Sequence, residues 1–188
     1  MERFENFEAV QATTGEYMKP SIGGYICKIV DVEDVKLDPN TGKGKYLKID
    51  YDIASGDFED FYKEQFDKWG ANNGRWGANF IRSYKESAIG MFKHFIECIE
   101  KSNKGFAWDW NEKGLIGKEV GLVVGEEEYK NTAGEVKKRF YVYQVKTVDE
   151  IKKGDFKLPA LKKLKETSSA PSFAGNFAPP PTDADVPF

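Results

Sequence analysis

Histidine occurs once in this chain, at His94, and cysteine only twice, at Cys27 and Cys98. A single imidazole excludes metal sites built from several histidines and leaves little room for a nucleophile activated by a histidine base. The cysteines lie in distant parts of the chain without C-x-x-C spacing, which argues against a zinc site or a disulfide framework and fits a reducing compartment. Both are expected to be buried. Also absent is any apolar run of membrane-spanning length, and the opening Met1-Glu2-Arg3-Phe4-Glu5-Asn6 has neither a basic n-region nor an apolar h-region. These absences predict a soluble, cytoplasmic protein that is not an enzyme, with no membrane partner, cofactor or metal. Asp50 and Asp52 have the spacing of metal-binding carboxylates, but on the outer face of a strand without supporting ligands they are expected to solubilise it.

Positive charge is missing from the end of the chain. No Lys or Arg follows Lys165, whereas Glu166, Asp183 and Asp185 do. The whole net charge of −3 therefore belongs to the tail, and the body carries 28 charges of each sign. From Glu166 the composition turns to Thr167-Ser168-Ser169-Ala170-Pro171-Ser172 and Pro179-Pro180-Pro181, without periodicity and too poor in apolar residues to fold alone. Residues 166–188 are read as a disordered tether, and residues 1–165 as one domain whose apolar content supports a core without disulfides.

Within the domain, Gly23 to Val32 is β-branched and aromatic and runs into the turn Asp38-Pro39-Asn40-Thr41-Gly42. Its apolar residues change phase, as in a long coiled strand with a bulge. Leu47, Ile49, Tyr51 and Ile53 alternate with Tyr46, Lys48, Asp50 and Asp52, so the first set should face inward. A third strand is read in the aromatic stretch Phe58 to Phe66, followed by a glycine-rich loop from Trp69 to Gly77. Ser83 precedes Glu86 at capping-box spacing, and Ala88, Phe92, Phe95 and Ile99 repeat at helical intervals, predicting a helix from Ser83 to Ser102. Strands over Val120–Gly125 and Arg139–Val148 complete the order. Five strands with a helix between the third and fourth is the element order of the oligonucleotide-binding (OB) barrel; another small barrel or an open α+β sheet is the alternative.

Such a barrel binds single strands across its second and third strands and through its first and last hairpins. The first hairpin holds Lys36, Lys43 and Lys45 and leads to Lys48; the last holds Lys130, Lys137, Lys138 and Arg139. These cations would meet phosphates, although Glu126-Glu127-Glu128 beside the second cluster fits ordinary solvated loops equally well. Rings for base stacking would come from Tyr46, Tyr62, Trp69, Trp76 beside Arg75, Tyr129 and Tyr141. For Trp69 and Trp76, packing over the barrel end explains the indoles as well as stacking does, and which of the pairs Phe140/Val142 and Tyr141/Tyr143 faces inward stays open. Gly121 and Gly125 share a face where another backbone or a ligand can approach closely. Trp108-Asp109-Trp110 is expected to cover the core, and His94 to lie at the surface or boundary.

The most specific local signal is the end, Asp183-Ala184-Asp185-Val186-Pro187-Phe188. A terminal ring suits an apolar pocket, its carboxylate an Arg or Lys, and the aspartates a basic rim, so Asp183, Asp185, Val186, Pro187 and Phe188 are expected to dock on partner proteins. This tip resembles a trimmed version of the acidic tail of bacterial single-stranded DNA-binding proteins, with Val186 in the aliphatic position. The body, through Ile49 to Ala54, Phe80 to Glu86, Val120 to Tyr129 and Gly154 to Lys157, resembles a family of small early proteins from phages of Gram-positive bacteria, often described as single-stranded DNA-binding. The resemblance implies coating of exposed single-stranded DNA during replication or recombination in the infected host cell, with phage or host proteins recruited through the tip. Two other functions fit the same elements: a protein-binding scaffold or host-enzyme inhibitor without nucleic-acid binding, and an annealing or recombination mediator. Oligomeric state, a homo-oligomer included, is left open.

Overall fold

The computed structural model describes residues 18–36, 44–70 and 74–164. It is mainly β. Five strands, β1 (Gly23–Val35), β2 (Tyr46–Ile53), β3 (Asn79–Ser83), β4 (Glu119–Lys130) and β5 (Val136–Lys146), form one antiparallel sheet in the order β3-β2-β1-β4-β5. β1 organises it. Its first half pairs with β4, from Gly23↔Val124 to Lys28↔Glu119, and its second half with β2, from Cys27↔Ile53 to Val35↔Tyr46. The register shifts between Ile29 and Asp31, which places the expected bulge where the apolar phase changes. The sheet is not closed: β3 and β5 are its two edges, with no ladder joining them among the described residues.

The strict alternation of β2 is realised, with Leu47, Ile49, Tyr51 and Ile53 all inside the core. Each such side chain contributes roughly 1.5–3 kcal/mol on burial, enough to fix the register against a one-residue slip. α2 (Ile89–Ser102) lays Phe95, Ile96, Cys98 and Ile99 against the same core. Cys27 and Cys98 are buried free thiols.

Two expectations are corrected. The third strand is Asn79–Ser83, whereas Phe58 to Phe66 leads through turns into a short helix, α1 (Phe61–Gln65), and then a π-turn over Phe66–Gly70. The cause is Asp52. Its carboxylate accepts from the backbone N–H groups of Tyr62 at 3.0 Å and Lys63 at 2.9 Å, as well as of Ile53 at 2.8 Å, and so caps α1 from a neighbouring strand. Asp52 is therefore buried, not a solubilising surface group, and Asp50 is buried beside it. The second correction concerns α2, which begins at Ile89 after a 3₁₀ turn over Glu86–Ala88. Ser83 ends β3 opposite Tyr46 and accepts from the Lys85 N–H instead of capping the helix, because strand pairing outcompetes the local capping preference.

The capping box lies elsewhere. Thr147 and Glu150 form one reciprocally at the start of α3 (Val148–Lys153), the residues after which continue as a strap to Leu164. Expected as the end of the last strand, Val148 instead opens this helix. The strap explains the glycines of β4: a Cβ on Gly121 would lie 2.7 Å from the Thr147 carbonyl oxygen, and one on Gly125 would lie 2.5 Å from Pro159. Backbone approaches Gly121 and the Pro159 and Tyr141 side chains approach Gly125, all from the same chain. Further along, Lys162 exchanges hydrogen bonds with Glu126 and Glu128, taking the edge of β4 beyond the reach of β1.

Candidate functional site

On the outer face of β1, β2 and β3, the register sets Val35 beside Tyr46 and Ser83, Glu33 beside Lys48 and Ile81, Asp31 beside Asp50 and Asn79, and Lys28 beside Asp52. Tyr46 is half-buried there, and Ile81 is exposed. Lys48 is committed to Asp50 at 3.1 Å. Burial pushes the Asp50 carboxyl up despite that lysine, and its Oδ1 has no hydrogen-bond donor among the described residues. The face carries Asp31, Glu33, Asp50 and Asp52 against Lys28 and Lys48, and Lys113 reaches Asp31 at 3.4 Å.

The hairpin of β4 and β5 is a ladder of ion pairs. Lys138 faces Glu126 at 3.7 Å, Arg139 faces Glu127 at 2.8 Å, and Lys137 faces Glu135 at 3.3 Å. Lys162 from the strap adds a second cation on Glu127 at 2.8 Å, and its hydrogen bond leads the causes that hold the Glu127 carboxyl below its usual range. The triplet Glu126-Glu127-Glu128 is what pins this hairpin: Glu128 also accepts from the Leu164 N–H. Among the described residues, Lys28, Lys36, Lys45, Arg75 and Lys130 have no carboxylate partner. The two hairpins leave from opposite ends of β1, so a strand touching both Lys36 and Lys130 runs along the sheet.

The expected stacking rings divide. Tyr62 lies on α1, not on a strand, and is buried edge-on to Tyr51 at 5.8 Å. Trp76 donates its indole N–H to the Tyr51 carbonyl at 2.8 Å and packs on Phe66, so its ring closes the core. The backbone of Trp69 lies in the π-turn, and its ring is outside the described side chains. Tyr129 is half-buried under Arg139, and Tyr141 lies beneath Lys162 with its edge to Tyr143. Val142 packs against the core, so Tyr141 is on the opposite face. Tyr46 remains a half-buried ring on the outer face. Lys43 and the tip residues Asp183, Asp185, Val186, Pro187 and Phe188 lie outside the described residues.

The sequence matches no family model and no curated protein. The site is therefore read from its own geometry. Two groups escaped sequence reasoning. Arg82 points inward from β3, with its guanidinium 4.7 Å from the Phe80 ring centre and 5.6 Å from that of Phe95, and burial lowers it to about 10. Trp110, expected to cover the core, is 82% exposed. Arg82 is set by the packing of β3 on α2, and Trp110 by the segment after α2; local sequence patterns encode neither. His94 lies at the surface, its Nε2 donating to the Val145 carbonyl at 3.0 Å. No helix among the described residues is long and apolar enough to cross a membrane.

Proposed function

We propose that this chain is a single-stranded DNA-binding protein built on an OB-like sheet, serving phage replication or recombination and recruiting other proteins through Asp183 to Phe188. The observation that carries the reading is the strand order β3-β2-β1-β4-β5, with a long bulged β1 shared by both halves and α2 between β3 and β4. That order supports an OB-type fold, and the acidic Pro-Phe end is the second support. In this reading Lys28, Lys36, Lys45, Arg75 and Lys130, five of the described cations without carboxylate partners, meet phosphates, and Tyr46 supplies a ring for a base. Lys137, Lys138 and Arg139 join only by exchanging glutamate for phosphate.

One observation favours a second reading, a protein-binding module without nucleic-acid affinity: on the outer face carboxylates outnumber amines, and Asp31 and Asp50 already hold Lys113 and Lys48. Titration of labelled oligothymidine at several salt concentrations, with a duplex control, separates the two. Binding that weakens as salt rises and prefers the single strand is expected; no retention even in dilute buffer leaves the protein-binding module. Removing Val186 to Phe188 should abolish capture of partner proteins while DNA affinity persists or rises. Acceleration of complementary-strand pairing would move the assignment to an annealing mediator.

A further inference from the structure

At the end of the sheet where β1 leaves for the first hairpin, a groove of about 420 Å³ opens between β2, the start of α2 and the segment after it. Its apolar surface comes from Leu47, Ile89 and Phe92, and its aromatic walls from Tyr84, Trp108 and Trp110. Ile89 is 55% exposed and Trp110 82%, so two large apolar groups stand in water beside a concave apolar surface. Trp110 also holds φ at +67°, a left-handed backbone that a tryptophan adopts at a cost of about 1–2 kcal/mol. The ring spends that strain on reaching outward, 6.2 Å from Trp108, instead of covering the core. The indole N–H of Trp108 is buried without an acceptor among the described residues.

The polar members of the groove are Asp34 and Glu112, with Ser83. Asp34 accepts from the Tyr84 hydroxyl at 3.0 Å, which fixes that wall, and its carboxylate has no cationic partner among the described residues. Lys113 nearby is engaged with Asp31 and the Val32 carbonyl. The two carboxylates that line the groove attract ammonium and guanidinium groups. The chain's own ends do not meet that requirement. Residues 1–17 carry four glutamates against Arg3, the tip is acidic, and both Met18 and Leu164 belong to the other end of β1 and β4.

We propose that this groove docks a cationic amphipathic segment of a partner protein. One aliphatic or aromatic side chain of that segment inserts between Trp110, Trp108 and Phe92, and lysines or arginines flanking it meet Asp34 and Glu112. The proposal does not rest on the DNA-binding reading, but the groove shares its end of the sheet with Lys36 and Lys45: Asp34 pairs with Leu47, and the Tyr84 N–H donates to the Lys45 carbonyl. Tryptophan and tyrosine around a concave apolar centre are the composition of interface hot spots.

The test uses the full chain and three probes: a short amphipathic leucine–lysine peptide, its leucine–glutamate counterpart, and oligothymidine. Binding is read by anisotropy, and the indole N–H signals of Trp108 and Trp110 are followed by NMR, assigned through Trp→Phe variants. The lysine peptide should bind, shift those two indole signals and leave Trp76 in place, while the glutamate peptide should not bind. Trp110→Ala should weaken binding by about tenfold or more. Because Trp110 is exposed, the variant should keep the parent circular dichroism spectrum; Glu112→Gln, which leaves every ring in place, should weaken binding by a smaller factor. Equal binding of both peptides, or an unchanged affinity in Trp110→Ala, overturns the proposal. So do displacement of the lysine peptide by oligothymidine with the same indole shifts, which makes the groove a base-stacking site, and a concentration-dependent dimer abolished by Trp110→Ala, which makes it a self-association face.

Discussion

Asp50 and Asp52 are two residues apart on one face of β2, yet burial sets them different tasks. Asp52 has three backbone N–H groups aimed at it, so its removal strands donors at the start of α1. Asp52→Ala should cost about 1–3 kcal/mol, read as a lower urea midpoint with an unchanged slope. An unchanged midpoint would deny the cap. Asp50 is the weaker partner: Lys48 is its ion pair, while burial, with Asp31 and Glu33 nearby, favours the protonated acid. A carboxyl raised in the folded state binds its proton more tightly there than in the unfolded chain, so its contribution to stability is present at low pH and lost as pH rises through the raised value. Asp50→Asn should therefore match or exceed the parent in stability at neutral pH and flatten the loss of stability that the parent shows as pH rises above the ordinary carboxylate range. A clearly less stable Asn variant would mean that the Lys48 pair outweighs burial. Neither role was legible in the sequence, where a polar residue at every second position of a strand reads as solvent-facing. For Asp52, what altered that reading is α1, whose first backbone N–H groups point at its carboxylate.

Among the elements, the strap shows how a surface stretch becomes structural. Its start is held by the Thr147–Glu150 box, and hydrogen bonds from Thr147, first from its backbone N–H, together with Lys146 lower the Glu150 carboxyl to about 2. A carboxylate depressed in the folded state stabilises above its unfolded value and loses that contribution as pH falls. Glu150→Gln should lower the thermal midpoint at neutral pH and remove part of the acid sensitivity between about pH 4.5 and 2, with Thr147→Ala costing about 1 kcal/mol. Equal acid sensitivity in parent and Gln variant would remove Glu150 from that role. The box was readable in principle, since Thr147-Val148-Asp149-Glu150 has the spacing. It was hidden because the β-branched run before it extends the strand pattern through Val148. Ser83 and Glu86 share the same spacing and form no box, because β3 needs Ser83 opposite Tyr46. Local motifs nominate caps; tertiary pairing selects among them.

For the molecule as a whole, charge placement matters more than charge count. Of the hairpin cations chosen from sequence, Lys137, Lys138 and Arg139 are met by Glu135, Glu126 and Glu127, whereas Lys130, like Lys36 and Lys45, is not so met among the described residues. If DNA binds, Lys36→Ala with Lys45→Ala should flatten the slope of log affinity against log salt by about 1.4, two phosphate contacts on a single strand. Replacing Lys137, Lys138 and Arg139 should flatten it less, because those cations are already neutralised. A larger loss from the hairpin triple variant would show that phosphate displaces the glutamates. Glu127→Gln, which releases Arg139 and Lys162, should tighten binding by the same logic.

By itself the sequence determined the β-rich class, the inward face of β2, the bulge in β1, the C-terminal end of α2 and the change of composition at Glu166, because each follows from periodicity or composition over a few neighbouring residues. Only the tertiary structure decided that Phe58 to Phe66 is not a strand, that Asp52 caps a helix, that Gly121 and Gly125 receive the strap, that the basic hairpin is neutralised and that Trp110 faces outward. Each of these depends on which distant segments lie against one another, and the free energy of such contacts resides in pairs of residues far apart along the chain.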